Sequence, residues 1–149
     1  MNVKGKVIAI TGGAGGIGTA QTKLLAENGA IVWVLDLAEE KAKALADEMT
    51  AKGYQVYSAG MDVGKEEDWK NIVDRIVAEN GRLDVVVNNA GINIRKVIEE
   101  MTMEEWMKMM EVNTGSVFLA TKYSIPVMRK QGGGEIINTS SICGLIGHM

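Results

Sequence analysis

Apolar residues fall along this chain in two alternating rhythms. Short runs rich in Val and Ile recur at Lys6–Thr11, Ile31–Asp36, Gln55–Met61, Asp84–Asn88 and Glu135–Thr139. Apolar on both faces, they read as strands buried on either side, as in a parallel sheet. Between them the spacing shifts to three and four. Ile17, Ala20, Leu24 and Leu25 repeat with a helical period, and so do Ala38, Ala42, Leu45, Ala46 and Met49. Trp69, Ile72, Val73, Ile76 and Val77 make the cleanest stripe, predicting a helix with one apolar face. A longer helix is predicted from about Met103 to Arg129, opened by Thr102 and Glu105 as a T-x-x-E capping box. Gly29, Gly53, Gly81 and Gly132 stand where the helices should stop, since glycine takes the left-handed backbone of a helix end at little cost.

The alternation of strands and helices predicts an α/β fold, a parallel sheet with helices on both faces and right-handed crossovers. A chain of 149 residues is expected to form one domain, 1–149, and is long enough to bury a sizeable core. No repeat, low-complexity tract or linker interrupts it; Gly132–Gly134 reads as a helix-to-strand turn.

Composition narrows the function. Sixteen Lys+Arg against 19 Asp+Glu give a net charge of −3, which excludes a nucleic-acid binder driven by a basic field. One cysteine excludes a disulfide framework and a Cys-based zinc site, and no metal site is expected. It also fits a reducing, cytoplasmic location. The longest apolar runs are far shorter than a bilayer span, and the four apolar residues before Thr11 are too few for a signal peptide. No membrane partner is therefore expected. Glycine, at 18 residues against a single proline, points to special tight turns inside regular structure rather than a loose linker.

The densest glycines follow the first predicted strand: Thr11-Gly12-Gly13-Ala14-Gly15-Gly16-Ile17-Gly18, with a helix directly after. Gly13, Gly15 and Gly18 fit G-x-G-x-x-G, and Thr11, Gly12, Gly16 and Gly18 fit T-G-x-x-x-G-x-G. At the amino end of a helix, free N–H groups and the helix dipole favour an anion, and glycines let the backbone approach a pyrophosphate. Asp36 closes the second strand, 18 residues after Gly18. A carboxylate there can accept from both ribose hydroxyls of an adenosine and repels a 2′-phosphate, which favours NAD over NADP. Alternatively Asp36 caps the helix starting near Ala38, with Glu39 as its partner; the two roles do not exclude each other.

Taken with four further motifs, the chain resembles the NAD(P)-dependent short-chain dehydrogenase/reductases. Thr11–Gly18 looks like the family's cofactor loop, Asp62-Val63 like its adenine-contacting pair, and Asn88-Asn89-Ala90-Gly91 like the string that stabilises the sheet and flanks the cofactor. Asn113 matches the helix asparagine of the catalytic tetrad, and Ser141 in Asn138-Thr139-Ser140-Ser141 matches the catalytic serine. The resemblance implies a Rossmann-type doubly wound sheet of about five strands in order 3-2-1-4-5, with ligands beyond the carboxyl ends of the strands. It implies cofactor contacts from Thr11, Gly12, Gly16, Ile17, Gly18, Asp36, Asp62, Val63, Asn89, Ala90 and Gly91. The implied chemistry is hydride transfer between a nicotinamide and a carbonyl or alcohol. The stretch Gly91–Lys96 resembles members acting on sugar acids and polyols, or 3-oxoacyl reductases.

The family's proton donor is the tyrosine of a Tyr-x-x-x-Lys motif, and these residues contain none. Tyr54, Tyr57 and Tyr123 are followed four positions later by Ser58, Met61 and Val127, and neither tyrosine nor lysine follows Ser141. The expectation is a chain cut before that motif, which binds NAD(H) but is catalytically incompetent alone. Two alternatives stay open: a nonenzymatic binding or assembly module, and an enzyme completed by another chain. His148 and Cys143 read as a terminal residue and a small turn residue rather than substitutes in catalysis. Met101, Met103, Met107, Met109 and Met110 cluster round Trp106 and read as a helix core face, with a partner surface as the alternative. The last strand should form an exposed edge, and self-association is expected through it or through the helix Met103–Arg129.

Overall fold

The computed structural model describes residues 3–141; Cys143 and His148 lie outside the described residues. Five strands, β1 (Val7–Thr11), β2 (Ile31–Asp36), β3 (Val56–Gly60), β4 (Val85–Asn88) and β5 (Glu135–Asn138), form one sheet in the order β3-β2-β1-β4-β5. Every adjacent pair is parallel. Three helices, α1 (Gly16–Glu27), α2 (Glu39–Ala51) and α3 (Glu66–Asn80), connect the first four strands. After β4 come a short turn of 3₁₀ helix, then α4 (Met103–Met110), a π-helical turn (Glu111–Gly115) and α5 (Ser116–Lys130). The architecture is the Rossmann-type arrangement that the sequence implied, with the strand order reversing at β1 and β4.

Burial follows the pleat. Ile8, Ile10, Val32, Val34 and Val87 point to one face and pack with Ala42, Leu45, Ala46 and Met49 of α2 and Ala26 of α1. Val7, Ala9, Trp33, Leu35 and Val86 point to the other, against Trp69, Ile72, Val73 and Ile76 of α3 and Ala120 and Met128 of α5. Neighbouring residues of a strand face opposite ways, so these near-continuous apolar runs supply both cores. Trp33 lies under α3: its indole N–H donates to Asn80 at 2.7 Å, its ring stacks on Tyr57, and the Arg75 guanidinium sits 4.9 Å over it.

The helix stops are where glycine predicted them. Gly29, Gly53, Gly81 and Gly132 have φ of +85°, +88°, +74° and +92°. The capping box is complete: Thr102 Oγ1 accepts from the Glu105 N–H, and Glu105 Oε2 accepts from the Thr102 N–H.

Four expectations need correction. The single helix from Met103 to Arg129 is two helices joined by the π turn, and it runs on to Lys130. The inward face of α1 is Gly18, Thr22 and Ala26, while Ile17 and Leu24 are 65% and 62% exposed. Small residues let α1 lie close to the sheet, and the bulky apolar ones are turned outward. The residue capping α2 is Ala38, so Asp36 does not cap it. Finally, Met103, Trp106, Met107 and Met110 are exposed and α4 buries no residue, so the methionine cluster is a surface and not a core face.

At the amino ends of the strands, Asp84 is buried and accepts from the Val7 N–H at 2.9 Å and from Arg82 Nε at 2.8 Å, with Lys6 Nζ at 3.4 Å. Burial works to raise its pKa, but the Arg82 hydrogen bond, the Val7 N–H and the two cations outweigh it. The carboxyl is held below the usual carboxylate range. Gln131, after α5, accepts from the Leu83 N–H and donates to the Leu83 carbonyl, fixing the same end of β4. β5 pairs only with β4 among the described strands, and its Ile137 is 46% exposed.

Candidate functional site

The carboxyl ends of β1, β2, β3 and β4 open onto one cleft of about 360 Å³. Gly12, Asp36, Asp62, Val63, Ala90 and Gly91, all singled out by sequence, line it together. Gly15, Leu37, Met61, Ile92, Lys108 and Val112 complete the wall. An open parallel sheet offers this crevice because the loops leaving adjacent strands diverge where the strand order reverses.

The floor is the glycine loop. Gly12 takes φ +60°, and a β-carbon on it would lie 3.0 Å from the Ala90 Cα. At Gly18 a β-carbon would lie 2.7 Å from the Gly13 Cα and would overlap the Gly12 carbonyl oxygen. Only glycine lets α1 start directly against the turn. The first turn of α1 contains no acidic residue, and no side chain caps it. Its N–H groups are therefore left for an anion from outside the helix. This opening, beside a backbone stripped of β-carbons, fits a pyrophosphate. Gly16 has nothing within 4 Å of where its β-carbon would be, and Ile17 faces solvent.

Thr11 and Asn89 do not line the cleft; they bolt its two sides together. Thr11 Oγ1 accepts from the Asn89 and Ala90 N–H groups, both at 3.0 Å, and donates to the Val87 carbonyl at 3.3 Å. The Asn89 amide donates to the carbonyls of Thr11 at 3.1 Å and Gly12 at 3.2 Å. Beneath them, Asn88 donates to Asn138 at 2.8 Å, joining β4 to β5.

Asp36 is held by backbone. Its Oδ2 accepts from the Ala14 N–H at 3.1 Å and its Oδ1 from the Ala38 N–H at 3.0 Å. Each carboxylate oxygen keeps a further lone pair for a hydroxyl donor. Asp62 is oriented by its own turn: its Oδ1 accepts from the Gly64 N–H at 3.0 Å, and its N–H donates to Asp68 Oδ2 at 2.8 Å.

Asn113 sits in the π turn. Its Oδ1 accepts from the Ile92 N–H at 2.8 Å and its Nδ2 donates to the Ile92 carbonyl at 2.9 Å. The extra residue in that turn offsets the helix, and such π bulges often mark functional positions. Asn113 thus clamps the segment that follows Gly91. Ser141 is exposed, beyond the end of β5, and is not among the residues lining the cleft. Tyr123 lies against the core, and its hydroxyl donates to Glu66 Oε1 at 2.8 Å, which Lys122 also contacts.

Sequence reasoning missed Lys108 and Val112. They stand four apart on the side of the α4 and π-turn segment that faces the cleft. Only the four-residue spacing could have paired them, and a lysine on a helix reads as solvated. Among the described residues, no group of three or more His, Cys, Asp or Glu could hold a metal ion. No helix there is long and apolar enough to cross a membrane.

This fold and cleft define a Rossmann-type α/β protein. The model of the short chain dehydrogenase family matches residues 6–149, and the chain belongs to that family. It is 43% identical over 145 residues to a cyclopentanol dehydrogenase from a Comamonas species, covering 97% of this chain and 58% of the relative. It is 38% identical over 148 residues to the 3-oxoacyl-[acyl-carrier-protein] reductase FabG of Thermotoga maritima, covering 99% and 60%. A short-chain type dehydrogenase/reductase from Mycobacterium marinum superposes with a TM-score of 0.94 at 32% identity, covering 99% of this chain and 60% of that one. The chain thus spans about three-fifths of the length of the relatives it matches. Members of this family bind nicotinamide dinucleotides.

Proposed function

We propose that these 149 residues form the NAD(H)-binding part of an oxidoreductase acting on a carbonyl or alcohol, with NAD preferred over NADP. The observation that carries this reading is the convergence of Gly12, Asp36, Asp62 and Gly91 on one cleft at the carboxyl ends of four parallel strands. The uncapped start of α1 and the glycine loop receive the pyrophosphate. Asp36 accepts from the adenosine ribose, and its charge disfavours a 2′-phosphate. Asp62 and Val63 take the adenine. Ala90 and Gly91, bolted to β1 through Thr11 and Asn89, form the opposite wall. When bound, the nicotinamide supplies a hydride or accepts one.

Ser141 is assigned to positioning the substrate oxygen, and Asn113 to holding the Ile92 backbone beside the site. With no Tyr-x-x-x-Lys in the sequence, these residues lack the family's proton donor. Turnover by this chain alone is expected to be weak or absent.

Fluorescence titration with NADH and NADPH in parallel tests the binding half. Saturable NADH binding, tighter than NADPH, is expected. Absence of NADH binding overturns the reading in favour of a nonenzymatic assembly module. A panel of secondary alcohols and ketones tests the other half: a robust dehydrogenase rate from the purified 149-residue protein would mean that another residue or chain supplies the proton donor.

A further inference from the structure

Among the described residues, the cleft lining carries one cation, and the proposed cofactor contacts leave its place unexplained. Lys108 projects from α4 into the wall that also contains Asp62 and Val112. Its ammonium is held loosely, 3.4 Å from each carboxylate oxygen of Glu111, and the two side chains are 48% and 46% exposed. An exposed pair of this length and spacing contributes little to stability. Position is what the pair supplies. The Glu111 carboxylate lies against Gly64, where any β-carbon would collide with it. Gly64 belongs to the turn that orients Asp62. Glu111 therefore rests on the Asp62 turn, and Lys108 is poised next to it with donors to spare, since an ammonium has three.

An acceptor and a donor on one wall form a recognisable pattern. Asp62 Oδ1 is taken by the Gly64 N–H, and Oδ2 remains to accept. Adenine presents an N6 amino donor flanked by ring-nitrogen acceptors. We propose that Lys108 is a specificity-determining residue for the adenine end of the cleft: it leaves Glu111 and donates to a purine ring nitrogen while Asp62 accepts from the amino group. This inference rests on the cleft being the dinucleotide site. It adds a contact from a helix that neither the glycine loop nor the strand ends supply.

The test is titration of the whole chain with NADH and with 5′-AMP, which shares only the adenosine end. Lys108→Ala is expected to weaken both ligands by the same factor, roughly threefold to tenfold, the worth of one hydrogen bond. Lys108→Met, which keeps the apolar stem and loses the donor, should behave like Lys108→Ala, and Lys108→Arg should bind like the parent. Because Lys108 is half-exposed, the variants should melt with the parent, so a binding change is not a folding change. Unchanged affinities in Lys108→Ala overturn the inference while leaving the cofactor reading intact. Full binding by Lys108→Met overturns it in favour of packing by the stem. No NADH or 5′-AMP binding by the parent overturns the cofactor reading, and this inference with it.

Discussion

Gly18 stands so close to Gly12 that the Gly12 carbonyl oxygen occupies the space a side chain at position 18 would need. Helix α1 begins hard against the turn that leaves β1, and two glycines six residues apart set that distance. Gly18→Ala is expected to cost about 1–3 kcal/mol of stability by overpacking and to abolish NADH binding by pushing the loop off the helix. Urea unfolding followed at several probes, together with an NADH titration, checks both effects. A variant with parental stability would show that the loop yields freely.

On the proposed reading, Asp36 sets the choice between NAD and NADP. Asp36→Ala removes the acceptor for the ribose and the charge that repels a 2′-phosphate. NADH affinity should fall about tenfold, the scale of a hydrogen bond to a charged group, while NADPH affinity should hold or rise. The ratio of the two dissociation constants is the readout, and an unchanged ratio would remove Asp36 from the specificity argument.

Asp84 makes the amino end of the sheet sensitive to acid. Its carboxyl is held below the usual range in the folded chain, so its contribution is fully present above the unfolded value near 4. That contribution is lost as pH falls through the lower folded value, because the unfolded chain then binds the extra proton more readily. Asp84→Ala should cost about 2–3 kcal/mol near neutral pH and flatten the acid limb of a plot of stability against pH. Denaturant melts between pH 3 and 7, in roughly half-unit steps across that range, measure the slope.

The Asn113–Ile92 clamp contributes order more than global stability, since both residues are exposed. Asn113→Ala should raise amide hydrogen exchange of the segment after Gly91 while leaving that of the buried strands unchanged. Protection kept at Ile92 would show that other contacts hold this segment.

Self-association, expected from the sequence, is proposed to act through the exposed face of α4. Met103, Trp106 and Met107, three and four positions apart on α4, are all exposed, and clustered exposed apolar residues mark candidate contact surfaces. Sedimentation should show an oligomer at tens of micromolar that Trp106→Glu dissociates. A monomeric parent would refute this.

The strands were legible because a buried parallel strand is apolar at every position, a pattern with few competitors. β1, β2 and β4 thus emerged within a residue or so of their ends. The inward face of α1 was not legible. Hydropathy weights size, so Ile17 and Leu24 pointed the wrong way, while Gly18, Thr22 and Ala26 were chosen for close approach. The π turn was hidden because Glu111–Gly115 carries the same residue types as an ordinary helical turn. At the site, the glycine loop and Asp36 could be read from their places at strand ends, while Asp62, Val63, Ala90 and Gly91 came from the family resemblance. Lys108 could not be read, since its meaning depends on which side of α4 faces the cleft.

The three tryptophans report on three different parts of the molecule. Trp33 is fully buried and tied to Asn80, so its emission follows global unfolding. Trp69 is also buried, and its indole donates to the carbonyl of Val63 at 2.9 Å, a residue of the cleft wall. Trp106 is 45% exposed on the α4 patch. Replacing two of the three with phenylalanine isolates the third, so three label-free variants can follow denaturation, the proposed cofactor binding and the proposed self-association separately.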